Sequence, residues 1–103
     1  MLQVPPFINE GELLRIDTTN PPGNEDRGVA FFAGIFDKEG ISYKTYEPAA
    51  GRGSILSVIR GTGEKGAVIL LNHIDVVPAN AEEWSVHPFS GEIKDGFVYG
   101  RGA

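Results

Sequence analysis

His73 and Asp75 are the residues of this chain whose types and spacing are best suited to chemistry. Alternate residues of an extended strand point to the same side, so we expect the imidazole and the carboxylate to lie side by side. A carboxylate beside an imidazole turns it into an oriented metal ligand or a general base. The alternative is a structural histidine at a strand end that bonds to a nearby loop.

The element that must carry this pair is the apolar run at residues 67–71. Five consecutive apolar residues predict a strand buried on both faces, with polar residues beginning at its carboxyl end. In open α/β sheets, ligands bind beyond the carboxyl ends of the strands. The position of His73 and Asp75 therefore favours a functional site.

Two helices are predicted before the strands. The first enters at Pro5-Pro6, carries an apolar stripe that includes Leu14, and ends before Pro21. The second runs from Asn24, as N-cap, to Gly40, as the C-terminal stop. The apolar face of this second helix is predicted to be core. That face comprises Val29, Phe32, Ala33 and Phe36.

Strands are predicted over residues 41–47 and 54–60, with a hairpin loop at 61–66 leading into the buried strand. A short hairpin is predicted over residues 91–99, with Asp95-Gly96 as its two-residue turn. The order of helices and strands predicts an α/β architecture, with a mixed sheet that has antiparallel strands at its edge.

Composition narrows the class of protein. The chain has 103 residues and a net charge of −5, which argues against nucleic acid as a partner. It contains no cysteine, so disulfides and thiolate metal ligands are excluded for this sequence. No apolar run approaches the ~20 residues of a membrane span, and no secretory signal is visible. We therefore expect a cytoplasmic protein without membrane partners.

Several motifs follow the pair in a fixed order. They are His-x-Asp-Val-Val-Pro at 73–78, Trp84, Pro-Phe-x-Gly at 88–91, Asp-Gly at 95–96 and Gly-Arg-Gly-Ala at 100–103. With the segment at 16–25, they closely resemble the zinc-dependent metallopeptidase family of aminoacylase, acetylornithine deacetylase, succinyl-diaminopimelate desuccinylase and related carboxypeptidases. The resemblance covers residues 13–103.

The resemblance implies a hydrolase that cleaves amide bonds of N-acyl amino acids or small peptides. Its implied cofactors are two zinc ions, or cobalt ions in their place. His73 falls on the first metal-ligand histidine of the family, and Asp75 falls on the catalytic-site aspartate that orients it. The family fold implied is the zinc exopeptidase type, and family members often form homodimers. Metal-bound water is a nucleophile near neutral pH, which agrees with these residue types.

The same resemblance implies that residues 1–103 are an incomplete N-terminal portion of the catalytic domain. In the family, an aspartate that bridges both metals follows Gly-Arg-Gly-Ala after one residue, and this sequence ends at Ala103. Catalytic zinc sites need about three protein ligands, and the resemblance supplies one here. We therefore expect the 103 residues alone to be inactive as an amidase.

Three further residues have competing interpretations. His87 could be a second ligand that reaches toward His73, but an exposed loop histidine is favoured. Trp84 is expected to fold the loop at 78–90 onto the sheet, with substrate stacking as the alternative. Arg101 is expected to pin its own loop through a carboxylate, and the alternative is a solvated side chain.

Two other functions are alternatives to the hydrolase. A non-catalytic remnant that associates with another chain would leave apolar surface open. A small-molecule or nucleotide-binding α/β module would need a glycine fingerprint at a strand–helix junction, which this sequence lacks.

Overall fold

The computed structural model describes residues 11–103. In this range the chain forms one α-helix, four short strands and two 3₁₀ turns. The 3₁₀ turns are Leu13–Arg15 and Ala81–Glu83, helix α1 is Glu25–Glu39, and the strands are β1 Tyr43–Tyr46, β2 Ser54–Ser57, β3 Glu92–Lys94 and β4 Phe97–Tyr99. No helix in the described range is both long and apolar enough to cross a membrane.

Helix α1 forms where the second helix was predicted. Two acidic residues occupy its first turn, and Gly40 ends it in the left-handed region with φ of 67°. The Gly40 N–H donates to carbonyls of the last turn, which a left-handed terminal residue permits. Asn24 was predicted to cap the amino end, and this is wrong: its φ is also 67° and its side chain makes no capping hydrogen bond.

The first predicted helix lies largely outside the described residues. Within them, only the single 3₁₀ turn Leu13–Arg15 forms, and Ile16 is already extended. The prediction that helix continues toward Pro21 is therefore wrong. Thr18 and Asn20 lie in an extended connection that makes hydrogen bonds to residues near position 75, so long-range bonds replace the local helical ones.

The strands predicted at 41–47 and 54–60 form in part and pair with each other, and the predicted hairpin at 91–99 forms, whereas the hairpin predicted around the loop at 61–66 does not. Strands β1 and β2 are antiparallel with Tyr43 opposite Ser57, and α1 packs on them, with the Phe36 ring 5.8 Å from the Tyr43 ring. Strands β3 and β4 pair around Asp95-Gly96, whose positive φ values of 52° and 81° suit a tight two-residue turn. The chain thus has two separate two-stranded sheets, where one mixed sheet was predicted.

The buried strand predicted at residues 67–71 is the main correction. No strand forms there in the described structure, and the side chains of residues 68–71 are 84–93% exposed. A strand buried on both faces needs neighbouring strands and covering helices. Within residues 11–103 the nearest pairing is one isolated parallel bridge between Thr19 and Val76, which lies beyond the carboxyl end of this segment. The segment has the apolar pattern of a buried strand, but residues 11–103 contain no strands or helices that cover it.

The same shortage of covering elements limits the core. Among residues 11–103, Pro88 is fully buried, but no valine, leucine, isoleucine or aromatic side chain is, and the predicted core face of α1 is only half-buried. A groove of about 800 Å³ separates β2 from residues 70–75, with Phe32 and Phe36 on its floor. The described residues are consistent with an α/β fragment, and the proposed site lies along one wall of this groove.

Candidate metal-ligand site

His73 and Asp75 lie side by side, as their spacing predicted. The Nδ1 atom of His73 is 3.0 Å from Oδ1 of Asp75 and 2.8 Å from the Asp75 carbonyl oxygen. The carbonyl oxygen can only accept, and Oδ1 likewise can only accept when the carboxylate is ionised. Nδ1 must therefore carry the proton, which leaves the lone pair of the neutral ring on Nε2.

The two side chains differ in exposure. The His73 side chain is 83% exposed, whereas that of Asp75 is 30% exposed. The carboxylate therefore sits deeper than the imidazole it contacts. In this arrangement Nδ1 of His73 contacts Asp75, and Nε2, on the opposite side of the ring, is accessible to a ligand.

Asn20 holds the other oxygen of the carboxylate. Its Nδ2 donates to Oδ2 of Asp75 at 2.8 Å, across 55 positions of sequence. The Asn20 amide is the largest influence that keeps the pKa of Asp75 below its ordinary value; burial opposes it, and the bond and charge of His73 add to the lowering. Asp75 is therefore held in the ionised form that His73 requires.

The backbone around Asp75 is held by the same segment. Thr18, which is 3% exposed, donates its hydroxyl to the Ile74 carbonyl at 2.5 Å. The Asn20 N–H donates to the Val76 carbonyl at 2.9 Å, and the Val76 N–H donates to the Thr18 carbonyl at 3.2 Å. Together with the Asn20–Asp75 side-chain bond, four hydrogen bonds thus join the chain at 18–20 to the chain at 74–76.

An ion pair contacts the other end of the Asn20 side-chain amide. Nη2 of Arg52 is 2.7 Å from Oε1 of Glu25, the first residue of α1 and one of the few buried residues. Nη1 of Arg52 donates to Oδ1 of Asn20 at 3.5 Å, at the long end of hydrogen-bond distances. Gly23 packs directly over this pair, because a Cβ there would lie 2.5 Å from the Glu25 carboxylate and 2.9 Å from the Arg52 side chain.

The sequence places residues 16–25 in a family resemblance, in a rigid loop at 20–23 and at the start of the second helix, but it predicts no role in the site for Thr18, Asn20, Glu25 or Arg52. The available signal was weak. Asn20 is a polar residue before two prolines and a glycine, which indicates a fixed loop but does not indicate what the loop contacts.

The loop at 78–90 is tied to the Gly-Arg-Gly-Ala segment. The Arg101 guanidinium lies 5.0 Å from the centre of the Trp84 ring, and the Arg101 N–H donates to the Pro88 carbonyl at 2.8 Å. Arg101 therefore fixes its loop by stacking on an aromatic ring, where a carboxylate contact had been expected. Gly102 lies against Val76, since a Cβ there would be 3.0 Å from the valine side chain.

His87 does not join the His73 pair. Its Nδ1 accepts the Phe89 N–H at 3.2 Å, its ring is 6.3 Å from the Phe89 ring, and the residue is exposed. This agrees with the favoured interpretation, an exposed loop histidine.

The donor set fits one ligand of a metal centre. Within residues 11–103, no group of three or more histidine or carboxylate side chains is placed to hold a metal ion. His73 nevertheless has the chemistry of a metal-ligating histidine, because its second ring nitrogen bonds to a carboxylate that is itself hydrogen-bonded.

Comparisons with known proteins agree with this interpretation. Residues 69–103 match the sequence model of Peptidase family M20/M25/M40. This match contains His73, Asp75 and the Gly-Arg-Gly-Ala segment.

Curated relatives extend the match toward the amino end. Aminoacylase-1 of Sus scrofa is 37% identical over 94 residues, which are 89% of this chain and 23% of that protein. Succinyl-diaminopimelate desuccinylase of Methylorubrum extorquens is 36% identical over 96 residues, 88% of this chain and 24% of that protein. N-fatty-acyl-amino acid synthase/hydrolase PM20D1 of Xenopus tropicalis is 68% identical over 34 residues, 33% of this chain and 7% of that protein.

The chain thus spans about a quarter or less of the length of the curated relatives it matches. The motifs, the oriented histidine and these matches support one assignment, to the M20 peptidase family of aminoacylases and succinyl-diaminopimelate desuccinylases, which this chain resembles.

Proposed function

We propose that this chain contributes to a hydrolase that cleaves the amide bond of N-acyl amino acids or small peptides, with His73 as a metal ligand and Asp75 as the carboxylate that orients it. The observation that carries the proposal is the Nδ1 contact of His73 with Asp75, which leaves Nε2 outward. Relatives named as aminoacylase, desuccinylase and fatty-acyl-amino acid hydrolase support the reaction class.

The role of each residue follows from the geometry. Nε2 of His73 would hold one of two zinc ions, or cobalt in their place. A bound divalent metal would supply a Lewis acid and a water that ionises near neutral pH. Asp75 keeps the proton on Nδ1 and makes the imidazole a stronger donor. The exposure of His73 leaves room for the metal and a small-molecule substrate on its outer side.

The remaining ligands are proposed to come from outside residues 11–103. A zinc catalytic site needs about three protein ligands, and the described residues bring together no such group. We therefore expect the 103-residue chain to release no amino acid from N-acyl substrates above a metal-only blank. Metal-dependent turnover by the 103 residues alone would contradict this part of the proposal.

The reaction class is tested on the protein expressed from its native gene. We expect hydrolysis of N-acyl amino acids or small peptides that depends on added zinc or cobalt. His73→Ala should abolish the activity, and Asp75→Asn should lower metal affinity or activity by about 10–100-fold, the usual effect of removing such a partner. Asp95→Asn, on the distant hairpin turn, is the matched control and should change neither. Full activity in His73→Ala would overturn the assignment.

A second candidate function is a non-catalytic association module. The exposed side chains of residues 68–71 and the open groove beside them favour it. In that case, the native gene product would form a stable complex through this surface and would hydrolyse none of these substrates. A homodimer and a cytoplasmic location stay predictions, to be tested by sedimentation and by fractionation of cells.

A further inference from the structure

We propose that Asn20, held by the Glu25–Arg52 ion pair, is a positioning residue for the metal-ligand histidine: it fixes the Asp75 carboxylate so that His73 keeps its proton on Nδ1. This inference deepens the proposed function, because it takes His73 as the metal ligand. It assigns a task to residues that lie outside the 69–103 match to the family.

The first step is the division of the carboxylate between two partners. Oδ1 of Asp75 faces His73 Nδ1 at 3.0 Å, and Oδ2 accepts from Asn20 Nδ2 at 2.8 Å. A carboxylate held at one oxygen only can rotate about its own bond. With both oxygens occupied, its plane is fixed, and Oδ1 is held as an acceptor for Nδ1 beside the Asp75 carbonyl oxygen, which is 2.8 Å from the same nitrogen.

The second step is the orientation of the Asn20 amide itself. One end faces a carboxylate, which only accepts, and the other faces the Arg52 guanidinium, which only donates. The NH₂ group must therefore point to Asp75 and the oxygen to Arg52. In the reversed orientation the amide oxygen would face the carboxylate and the NH₂ group would face the guanidinium, and neither pair could form a hydrogen bond. The charges of Asp75 and Arg52 therefore determine that the NH₂ group donates to Asp75.

The third step is the anchor of Arg52. Its 2.7 Å contact with Glu25 ties the guanidinium to the first turn of α1. Gly23 closes over the pair, leaving no space for a larger residue. A continuous set of polar contacts thus runs from the helix through Arg52, Asn20 and Asp75 to the imidazole.

The chain contains an internal reference for a test. It has two histidines, and their Nδ1 atoms have opposite hydrogen-bonding roles. Nδ1 of His73 donates to Asp75, whereas Nδ1 of His87 accepts the Phe89 N–H. Near pH 8, well above the ordinary histidine pKa of about 6.5, His73 should be the Nδ1–H tautomer and His87 the Nε2–H tautomer.

The experiment is long-range ¹H–¹⁵N NMR of the ¹⁵N-labelled 103-residue chain at pH 8. Single His→Ala variants assign the two rings. In the wild-type chain we expect the Nδ1–H form of His73 to dominate. In Asn20→Ala the Nδ1–H fraction of His73 should fall, because the Asp75 carbonyl oxygen is then the one acceptor still held in place, while His87 stays unchanged. Asn20→Gln, which keeps an amide that can reach Asp75, should restore part of the signal.

Asn80→Ala is the matched control. Asn80 also donates its amide to a carboxylate, that of Glu83 at 3.3 Å, but it lies in the 3₁₀ turn at 81–83. This variant should leave both histidine tautomers unchanged. Arg52→Met provides a second route to the same answer if Asn20→Ala does not fold, because it frees the amide oxygen without touching Asp75. The backbone spectrum of α1 shows which variants are folded.

Three results would overturn the proposal. They are a wild-type His73 without a dominant Nδ1–H form, a folded Asn20→Ala with the wild-type Nδ1–H fraction, or a folded Arg52→Met with that fraction. Failure of the proposed function gives a different result. In that case the tautomer would respond to Asn20 as expected, yet the native gene product would neither bind zinc through His73 nor hydrolyse an amide.

Discussion

At the scale of single residues, sequence reasoning found the half of the site that local geometry dictates. Positions 73 and 75 share a side of any extended chain, so their contact follows from spacing alone. The contact of Asn20 with Asp75 joins residues 55 positions apart. No local pattern specifies such a contact, because it depends on how the loop before α1 folds back onto the segment after residue 73.

The Asp17–Thr19 turn offers a prediction at this scale. The Thr19 hydroxyl and N–H both donate to Oδ1 of Asp17, at 2.6 and 2.9 Å. The hydroxyl is the largest cause that lowers the pKa of Asp17; the backbone N–H follows, burial opposes both, and the charges of Arg27 and His87 add smaller lowering. Thr19→Val should therefore raise this pKa toward the ordinary carboxyl value of about 3.9.

The sign for stability follows from the lowered pKa. Ionised Asp17 stabilises the fold above its ordinary pKa, and the contribution is lost as pH falls through the lowered folded value. Thr19→Val should thus weaken the dependence of stability on pH below about 4. Carbon-detected NMR of the Asp17 carboxyl measures the pKa, with Thr45→Val on β1 as control. An unchanged Asp17 pKa in Thr19→Val would contradict the assignment.

At the scale of elements, helix α1, the presence of β1 and β2, and the β3–β4 hairpin were predictable because their signals are local. Acidic residues at the start, Gly40 at the end and the Asp95-Gly96 turn each act within a few residues. The Asn24 cap failed because its backbone takes a left-handed conformation, which turns the side chain away from the first helical N–H groups. The ends of elements thus depend on the loop that precedes them.

Gly34 tests the packing of α1. It lies within the helix, and a Cβ there would meet no atom within 4 Å. Gly34→Ala should stabilise the fold by about 1 kcal/mol, because alanine loses less backbone freedom in a helix. Gly40→Ala is the matched control: its surroundings are equally open, but its φ of 67° disfavours alanine, so it should destabilise by about 1 kcal/mol. Urea unfolding followed by circular dichroism separates the two.

The Trp84–Arg101 contact makes a prediction about the loop at 78–90. Trp84 is the single tryptophan of the chain, and it is half-buried with the guanidinium 5.0 Å from its ring centre. Arg101→Ala should expose the indole and move its fluorescence to longer wavelength. Arg60→Ala, at an exposed arginine, should leave the spectrum unchanged. Equal spectra for wild type and Arg101→Ala would show that the stacking does not hold the loop.

At the scale of the whole molecule, the error at residues 67–71 shows what a pattern of apolar residues leaves undetermined. Such a run specifies that a segment is suited to burial, but the elements that bury it must come from elsewhere in the chain or from a partner. Within residues 11–103, two small hairpins and one helix do not enclose it. The predicted core face of α1 is only half-buried for the same reason, because these elements do not enclose it either.

The exposed run predicts how the 103-residue chain behaves in solution. Side chains 84–93% exposed over four consecutive apolar residues should bind an apolar dye and promote self-association. Leu70→Lys combined with Leu71→Lys should reduce dye fluorescence and shift the chain to smaller species on size exclusion. Phe97→Lys, at a single exposed aromatic residue on β4, should have a much smaller effect. Equal dye binding by all three proteins would contradict this prediction.

The bridge between Thr19 and Val76 has a consequence for the order in which a complete catalytic centre is assembled. It fixes the end of the 67–76 segment that carries His73 and Asp75, whereas residues 68–71 are exposed. In the proposed hydrolase, the imidazole would therefore be oriented without the layers that cover residues 68–71. Folding of the rest of such an enzyme would then bring further ligands to a histidine that already points the right way.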